Sequence, residues 1–277
     1  MKLPDKYNYA EAYLTLRCNL GCSYCINDQG GVRRNRNELT ATEWIDGLNE
    51  IDFRDVPLTL GGGEPTLHEG FFDIVNGIKP AIKLNLLTNL QFDLNDFFRN
   101  VSPDAFETSS NPAHRSIRVS YHHPKHEPDE LIARARKLQN KGFSVGVFGL
   151  THPDNAGANL QMAEKARKQG VLFLPKDFMG EHNGQMYGTY RYPDALNGRM
   201  QRKLCRTSEL LIAPDGHMHK CHRDLYRAEN QIGKIGNGDA IEPLYRECHN
   251  YGDCNPCDVK LKTNLLFKGL PSQVEII

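Results

Sequence analysis

Ala10-Glu11-Ala12-Tyr13-Leu14-Thr15-Leu16-Arg17-Cys18-Asn19-Leu20-Gly21-Cys22-Ser23-Tyr24-Cys25 joins an apolar alternation to three closely spaced thiols. The alternation predicts a β-strand over residues 10–16, with Ala12, Leu14 and Leu16 on one face. Downstream, strand-like and helix-like segments take turns. Thr40 and Glu43 form a capping box that opens a helix burying Trp44, Leu48 and Ile51. Strands are expected at 56–60, 83–87, 117–121, 143–150 and 171–174. Helices are expected at 69–78, 92–100, 128–141 and 155–169, the last two stopped by Gly142 and Gly170.

Such alternation implies an α/β fold with right-handed parallel crossovers, closed or open. Chemistry in these folds gathers at the C-terminal ends of the strands. The loop of Cys18, Cys22 and Cys25, the loop Gly61-Gly62-Gly63-Glu64-Pro65 and Asn89 are therefore expected on one rim. The pattern changes near residue 180. Residues 184–199 are rich in Gly, Tyr and Arg and read as a linker, followed by a hairpin (210–212 and 218–220, turning at Asp215-Gly216).

Lys+Arg and Asp+Glu each number 34 in the 277 residues, so the net charge is zero and the basic footprint of a nucleic-acid binder is missing. No run approaches the roughly 20 apolar residues of a membrane helix, and the first residues lack a signal peptide's apolar stretch. The expected location is the cytoplasm. A reducing compartment argues against a disulfide framework for the eight cysteines. They fall in two groups, Cys18/Cys22/Cys25 and the five from Cys205 to Cys257, which points to metal or iron–sulfur ligation. A [4Fe–4S] cube usually takes four cysteines, so a compact trio leaves one iron for another ligand. A structural zinc is the alternative, although zinc knuckles usually pair two C-x-x-C units.

C-x3-C-x-aromatic-C after a first strand resembles the signature of the radical S-adenosylmethionine (SAM) family. The resemblance implies that Cys18, Cys22 and Cys25 hold three irons of a [4Fe–4S] cluster while the fourth chelates SAM, with Tyr24 beside the adenine. Gly61-Gly62-Gly63-Glu64 is similar to the family's GGE element, which binds the methionyl amino group. Glycines let carbonyls approach closely, and Glu64 complements an ammonium. Asn89 and Ser120, ending the third and fourth strands, are implied further SAM contacts, and Gly146-Val147-Phe148-Gly149 partly resembles the fifth-strand motif. The implied fold over residues 1–183 is a partial (β/α)6 TIM-like barrel.

The second cysteine group, Cys205-x10-Gly216-x4-Cys221 followed by Cys248 and Cys254-Asn255-Pro256-Cys257, resembles the auxiliary-cluster domain of many radical SAM enzymes. Five cysteines are too few for two clusters, so the shorter twitch form fits better than the SPASM form. Residues 184–277 would then be a small hairpin-plus-helix domain holding a second [4Fe–4S] cluster through Cys205, Cys221, Cys254 and Cys257. Cys248 would be spare or a substitute. A zinc ribbon is the alternative. His217, His219 and His222 flank this group and are candidates for tuning its potential.

Substrate candidates are His122 and His123 after the fourth strand, His152 after the fifth, and Lys176 and Asp177 after the sixth. Arg33, Arg34 and Arg36 are candidates for meeting an anionic substrate. By resemblance, flavodoxin or ferredoxin delivers an electron, SAM is cleaved reductively, and a 5′-deoxyadenosyl radical removes a substrate hydrogen. Oxidation or rearrangement of a small metabolite is the first expectation, because Cys18 follows the first residue too closely for a peptide-recognition domain to precede it. Peptide or protein maturation by the same chemistry is the alternative, and a non-catalytic iron–sulfur or zinc scaffold is a third reading that the Gly61–Pro65 loop opposes.

Overall fold

A computed structural model describes residues 1–25, 37–109, 111, 113–261 and 274–277. Arg33, Arg34 and Arg36 lie outside the described residues. The first two thirds alternate six strands with five helices: β1 (Tyr9–Thr15), α1 (Ala41–Asn49), β2 (Leu58–Gly62), α2 (Phe71–Gly77), β3 (Leu84–Thr88), α3 (Leu94–Asn100), β4 (Ile117–Tyr121), α4 (Pro128–Asn140), β5 (Val145–Thr151), α5 (Ala156–Lys168) and β6 (Leu172–Asp177). These six strands are parallel and lie side by side in chain order, forming a partial barrel. The expected α/β architecture is the one observed.

Local sequence explains the elements. Thr40 and Glu43 form the full capping box at α1, and Trp44, Leu48 and Ile51 are buried. α4 starts on Pro128, its first-turn N–H groups capped by Glu127. Gly142 and Gly170 take positive φ just beyond α4 and α5. The core lies between the helices and the outer face of the sheet, where Leu14, Leu60, Leu86, Val119 and Val147 meet Trp44, Ile74, Phe97 and Leu138.

Three local expectations are corrected. The second strand runs two residues later than expected, because Gly61 and Gly62 pair with Tyr13 and Thr15 of β1. That pairing carries a bulge between Tyr13 and Thr15, which turns Leu16 away from Leu14 to pack with Tyr13, Leu211 and Leu225. Residues 184–199 are not a bare linker. They contribute the second strand of a hairpin, β7 (Gly180–His182) with β8 (Gln185–Tyr187), and a 3-10 turn at Pro193–Leu196.

The C-terminal part adds β9 (Gln201–Thr207), β10 (Glu209–Ile212), β11 (His217–His219), α6 (His222–Arg227), β12 (Gly233–Lys234), β13 (Arg246–Tyr251), α7 (Pro256–Val259) and β14 (Val274–Ile276). The expected hairpin is β10–β11, and it does not stand apart. β10 pairs parallel with β1, so β10, β11 and β12 extend the barrel sheet beyond its first strand. β13, β9 and β14 form a separate antiparallel sheet with its own apolar core.

Candidate active site at the barrel mouth

A cavity of about 830 Å³ occupies the inside of the barrel and its mouth. Cys18, Cys22 and Cys25 line it, all half-buried. Their loop is laid directly on the loop after β2: Gly63 N–H donates to Thr15 O and Glu64 N–H to Arg17 O, both at 2.8 Å. A Cβ on Gly62 would stand 2.2 Å from Thr15 O, and one on Gly63 2.0 Å from Arg17 O. Gly62 also has a φ of +123°. Side chains are excluded here because two backbones touch.

Glu64 sits behind this contact, fully buried. Its carboxylate accepts from the Thr66 hydroxyl and the Thr88 hydroxyl at 2.8 Å and from Asn89 N–H at 2.7 Å. The Thr88 oxygen already accepts the Leu90 N–H, so its proton goes to Glu64. Burial nevertheless raises the Glu64 pKa, against these hydrogen bonds. Gly62, Gly63, Asn89 and Ser120 do line the cavity. Asn89 donates from Nδ2 to Asn19 at 2.6 Å and comes within 3.9 Å of the Cys18 sulfur.

Tyr24 lines the cavity in a stack of rings, 5.3 Å from His152 and 5.9 Å from His122, and its hydroxyl meets His122 Nδ1 at 3.2 Å. Burial, then the nearby Cys22, holds the Tyr24 phenol well above its usual range. Burial, then His126, lowers the His122 pKa to about 4, so this imidazole is neutral. Sequence reasoning missed the work of His126: its Nδ1 accepts the His122 N–H at 2.9 Å and its Nε2 meets Asn89 O at 3.0 Å, fixing both residues. His122 lines the cavity, whereas His123 is exposed outside it and His152 is buried behind Tyr24.

Lys176 and Asp177 also line the cavity. Lys176 is exposed to the solvent of the open cavity, yet the barrel atoms crowded around it, then Arg118 and Lys260, push its ammonium down to about 7, and its Nζ lies 4.9 Å from the Phe148 ring centre. Other interior residues escaped the sequence reading. Tyr9, Glu11 and Tyr13, the alternate positions of β1, face inward, and the Tyr9 hydroxyl donates to Glu11 at 2.7 Å. Their alternation with Ala10, Ala12 and Leu14 was the available signal.

The five later cysteines divide. Cys205, Cys221, Cys248 and Cys254 share one core with Tyr251, Val259, Val274 and Ile276. Pairing of β9 with β13 makes Cys205 and Cys248 diagonal neighbours, and the interaction of the two thiols holds Cys205 above the usual thiol range and Cys248 below it. Burial, then Asp258 and Cys248, raises Cys254 to about 12. Cys257 instead lines the barrel cavity, together with the first cysteine group. Asp258 accepts the N–H and the Nδ1 of His222, both at 2.8 Å, joining α7 to the start of α6. His219 meets Glu229 O and His217 meets Asp215.

The donor set suits a cationic iron centre. Burial, then Cys25 and Cys18, pushes the Cys22 thiol up to about 11, so three thiolates at this spot repel unless a metal neutralises them. A family model described as the radical SAM superfamily matches residues 13–166. The mycofactocin maturase MftC of Mycolicibacterium smegmatis is 34% identical over 319 aligned positions, 93% of this chain and 79% of that protein. The probable GTP 3',8-cyclase of Methanopyrus kandleri is 28% identical over 136 residues, 47% of this chain and 43% of that protein. SuiB of Streptococcus suis, solved with its precursor peptide SuiA, superposes with a TM-score of 0.56 at 13% identity, covering 82% of this chain and 62% of that one. The chain thus spans less than two thirds of the cyclase and of SuiB. With more than half of its length, cysteine loop and glycine loop included, matched by one family model, this chain belongs to the radical SAM superfamily and is an enzyme.

Proposed function

We propose that Cys18, Cys22 and Cys25 hold a [4Fe–4S] cluster beside which SAM binds, and that the enzyme removes a hydrogen atom from a peptide substrate at the barrel mouth. The observation that carries this is the opening of all three thiols onto one cavity with Gly62, Gly63, Asn89 and Ser120. When bound, the cluster and SAM supply a 5′-deoxyadenosyl radical. The chain supplies position and dryness. The carbonyls of Gly62 and Gly63 are suited to the methionyl ammonium, with Glu64 fixing Asn89 behind them. Tyr24, stacked on two imidazoles, is suited to the adenine, and Ser120 to a ribose hydroxyl. Neutral His122 holds Tyr24, and Lys176 and Asp177 face the space left for substrate.

The peptide reading is supported by the match to MftC along 93% of this chain. Oxidation or rearrangement of a small metabolite is the second reading, favoured by a cavity within the size range of small-molecule sites, about 300–1,000 Å³. A low-potential one-electron donor such as flavodoxin or ferredoxin fits the half-exposed cysteine loop. Among the described residues no helix is long and apolar enough to cross a membrane.

A second [4Fe–4S] cluster belongs to the same reading, in a twitch-like region spanning residues 184–277 that leans on the barrel of residues 1–183. Cys205, Cys221 and Cys254 are ligands whichever cysteine is the fourth. Cys248 is supported in that place over Cys257, because it packs in the same core as the other three and lies diagonal to Cys205 across β9 and β13, whereas Cys257 lines the barrel cavity. The test is SAM cleavage by the reconstituted protein with each candidate peptide or metabolite. Deuterium transfer from labelled substrate into 5′-deoxyadenosine supports hydrogen abstraction, and its absence for peptides with its presence for a metabolite would select the second reading.

A further inference from the structure

Beyond the cysteines, His152, Asp154 and His182 bring one ligand atom each to within 4.8 Å of one another. They come from two elements. His152 follows β5 and caps the 3-10 turn Pro153–Asn155, while His182 ends β7. His152 Nδ1 faces the Asp154 N–H at 3.3 Å, so it presents a lone pair there and not a proton. Yet the same nitrogen lies 3.6 Å from Asp154 Oδ2, an acceptor facing an acceptor. On the other side, His182 Nε2 stands 3.2 Å from Asp154 Oδ1 and 3.1 Å from the Asn183 amide nitrogen.

We propose that His152, Asp154 and His182 bind one divalent transition-metal ion of the zinc type, with solvent completing its coordination. Zinc bonds of about 2.0–2.1 Å to nitrogen and oxygen place tetrahedral ligand atoms about 3.3 Å apart. The three ligand atoms lie within 4.8 Å of one another, so modest side-chain rotations bring them onto that edge around an ion. A cation there takes the His152 Nδ1 lone pair in place of the long Asp154 N–H contact and neutralises the carboxylate facing it. Two imidazoles select a transition metal over calcium or magnesium, and three protein ligands leave a position for water. Packing holds the ligands in place. His152 sits edge-on against Phe178 and His182, with ring centres 4.6 and 4.5 Å away, and stacks on Tyr24. Asp154, with 65% of its side chain exposed, leaves the ion a way in from solvent. The ion pins the β7–β8 hairpin to the end of β5, one ring away from the cysteine loop.

The test uses protein whose iron–sulfur content has been reconstituted, equilibrated with chelator-buffered Zn²⁺ and assayed for zinc and iron in the same sample. The expected result is about one zinc per chain with iron unchanged, and a loss of zinc affinity of at least about tenfold in His182→Ala and Asp154→Asn with iron content retained. X-ray absorption at the zinc edge should show nitrogen and oxygen neighbours with imidazole scattering. Failure of the wild type to retain zinc, equal zinc in wild type and both variants, zinc gained only as iron is lost, or a sulfur shell at about 2.3 Å would each overturn the proposal.

Discussion

The buried carboxylate of Glu64 accepts the backbone N–H of Asn89 at 2.7 Å, and so locks the loop after β2 to the end of β3. Asn89 in turn leans on Asn19 and the Cys18 sulfur. Through these two residues the glycine loop and the cysteine loop are set relative to each other before any ligand arrives.

Glu64→Gln should therefore destabilise the protein even without SAM. An amide cannot accept all of the donors now directed at the carboxylate, and the mismatch costs about 1–2 kcal/mol. Thermal unfolding of the SAM-free protein should fall by a few degrees. An unchanged midpoint with only a weaker SAM affinity would mean that Glu64 acts on the ligand alone.

Gly62→Ala meets two penalties, a Cβ 2.2 Å from Thr15 O and a φ of +123°. Strain of this kind costs roughly 2–3 kcal/mol. Reconstituted Gly62→Ala should lose iron from the N-terminal site faster than wild type on dilution into chelator. Equal loss rates would show that the close approach of the two loops is not needed to hold the cysteines.

The partition of the later cysteines is testable by iron content. Cys248→Ala should lower iron by about four per chain, and Cys257→Ala should leave it near the wild-type value of about eight. The opposite pattern would return Cys257 to the ligand set.

Lys176 gives a pH signature. Its folded pKa is depressed to about 7 from 10.5, so between these values the unfolded chain binds a proton that the folded one does not. The penalty is full below about pH 7 and fades as pH rises towards 10.5. Lys176→Met should raise the unfolding midpoint near pH 6, by roughly 2–4 °C for a discounted 1 kcal/mol in an open cavity. The gain should shrink by pH 10. A pH-independent gain would show that Lys176 is ordinarily solvated.

Much of the barrel was legible because period-2 and period-3.6 patterns are local. β4 runs over Ile117–Tyr121, as its alternation implies, and Thr40 with Glu43 marks the start of α1. Pairing partners are not local. Nothing around Glu209 indicates that β10 joins β1, nor does the apolar alternation of β1 reveal the bulge that turns Leu16. The site followed the same division. Cysteine and glycine spacings located the two loops, whereas the inward row Tyr9, Glu11 and Tyr13 is only the complement of an apolar pattern and forms no motif of its own. Glu64 read as a ligand contact by charge, and only the fold shows its oxygens occupied by Thr66, Thr88 and Asn89.

The most direct measurement is 5′-deoxyadenosine release from SAM by anaerobically reconstituted protein under dithionite, comparing wild type with Cys22→Ala. Release by the wild type, and none above background in a folded Cys22→Ala protein, is the predicted result. Equal release by both would contradict the assignment of the N-terminal thiols to the cluster that drives the reaction.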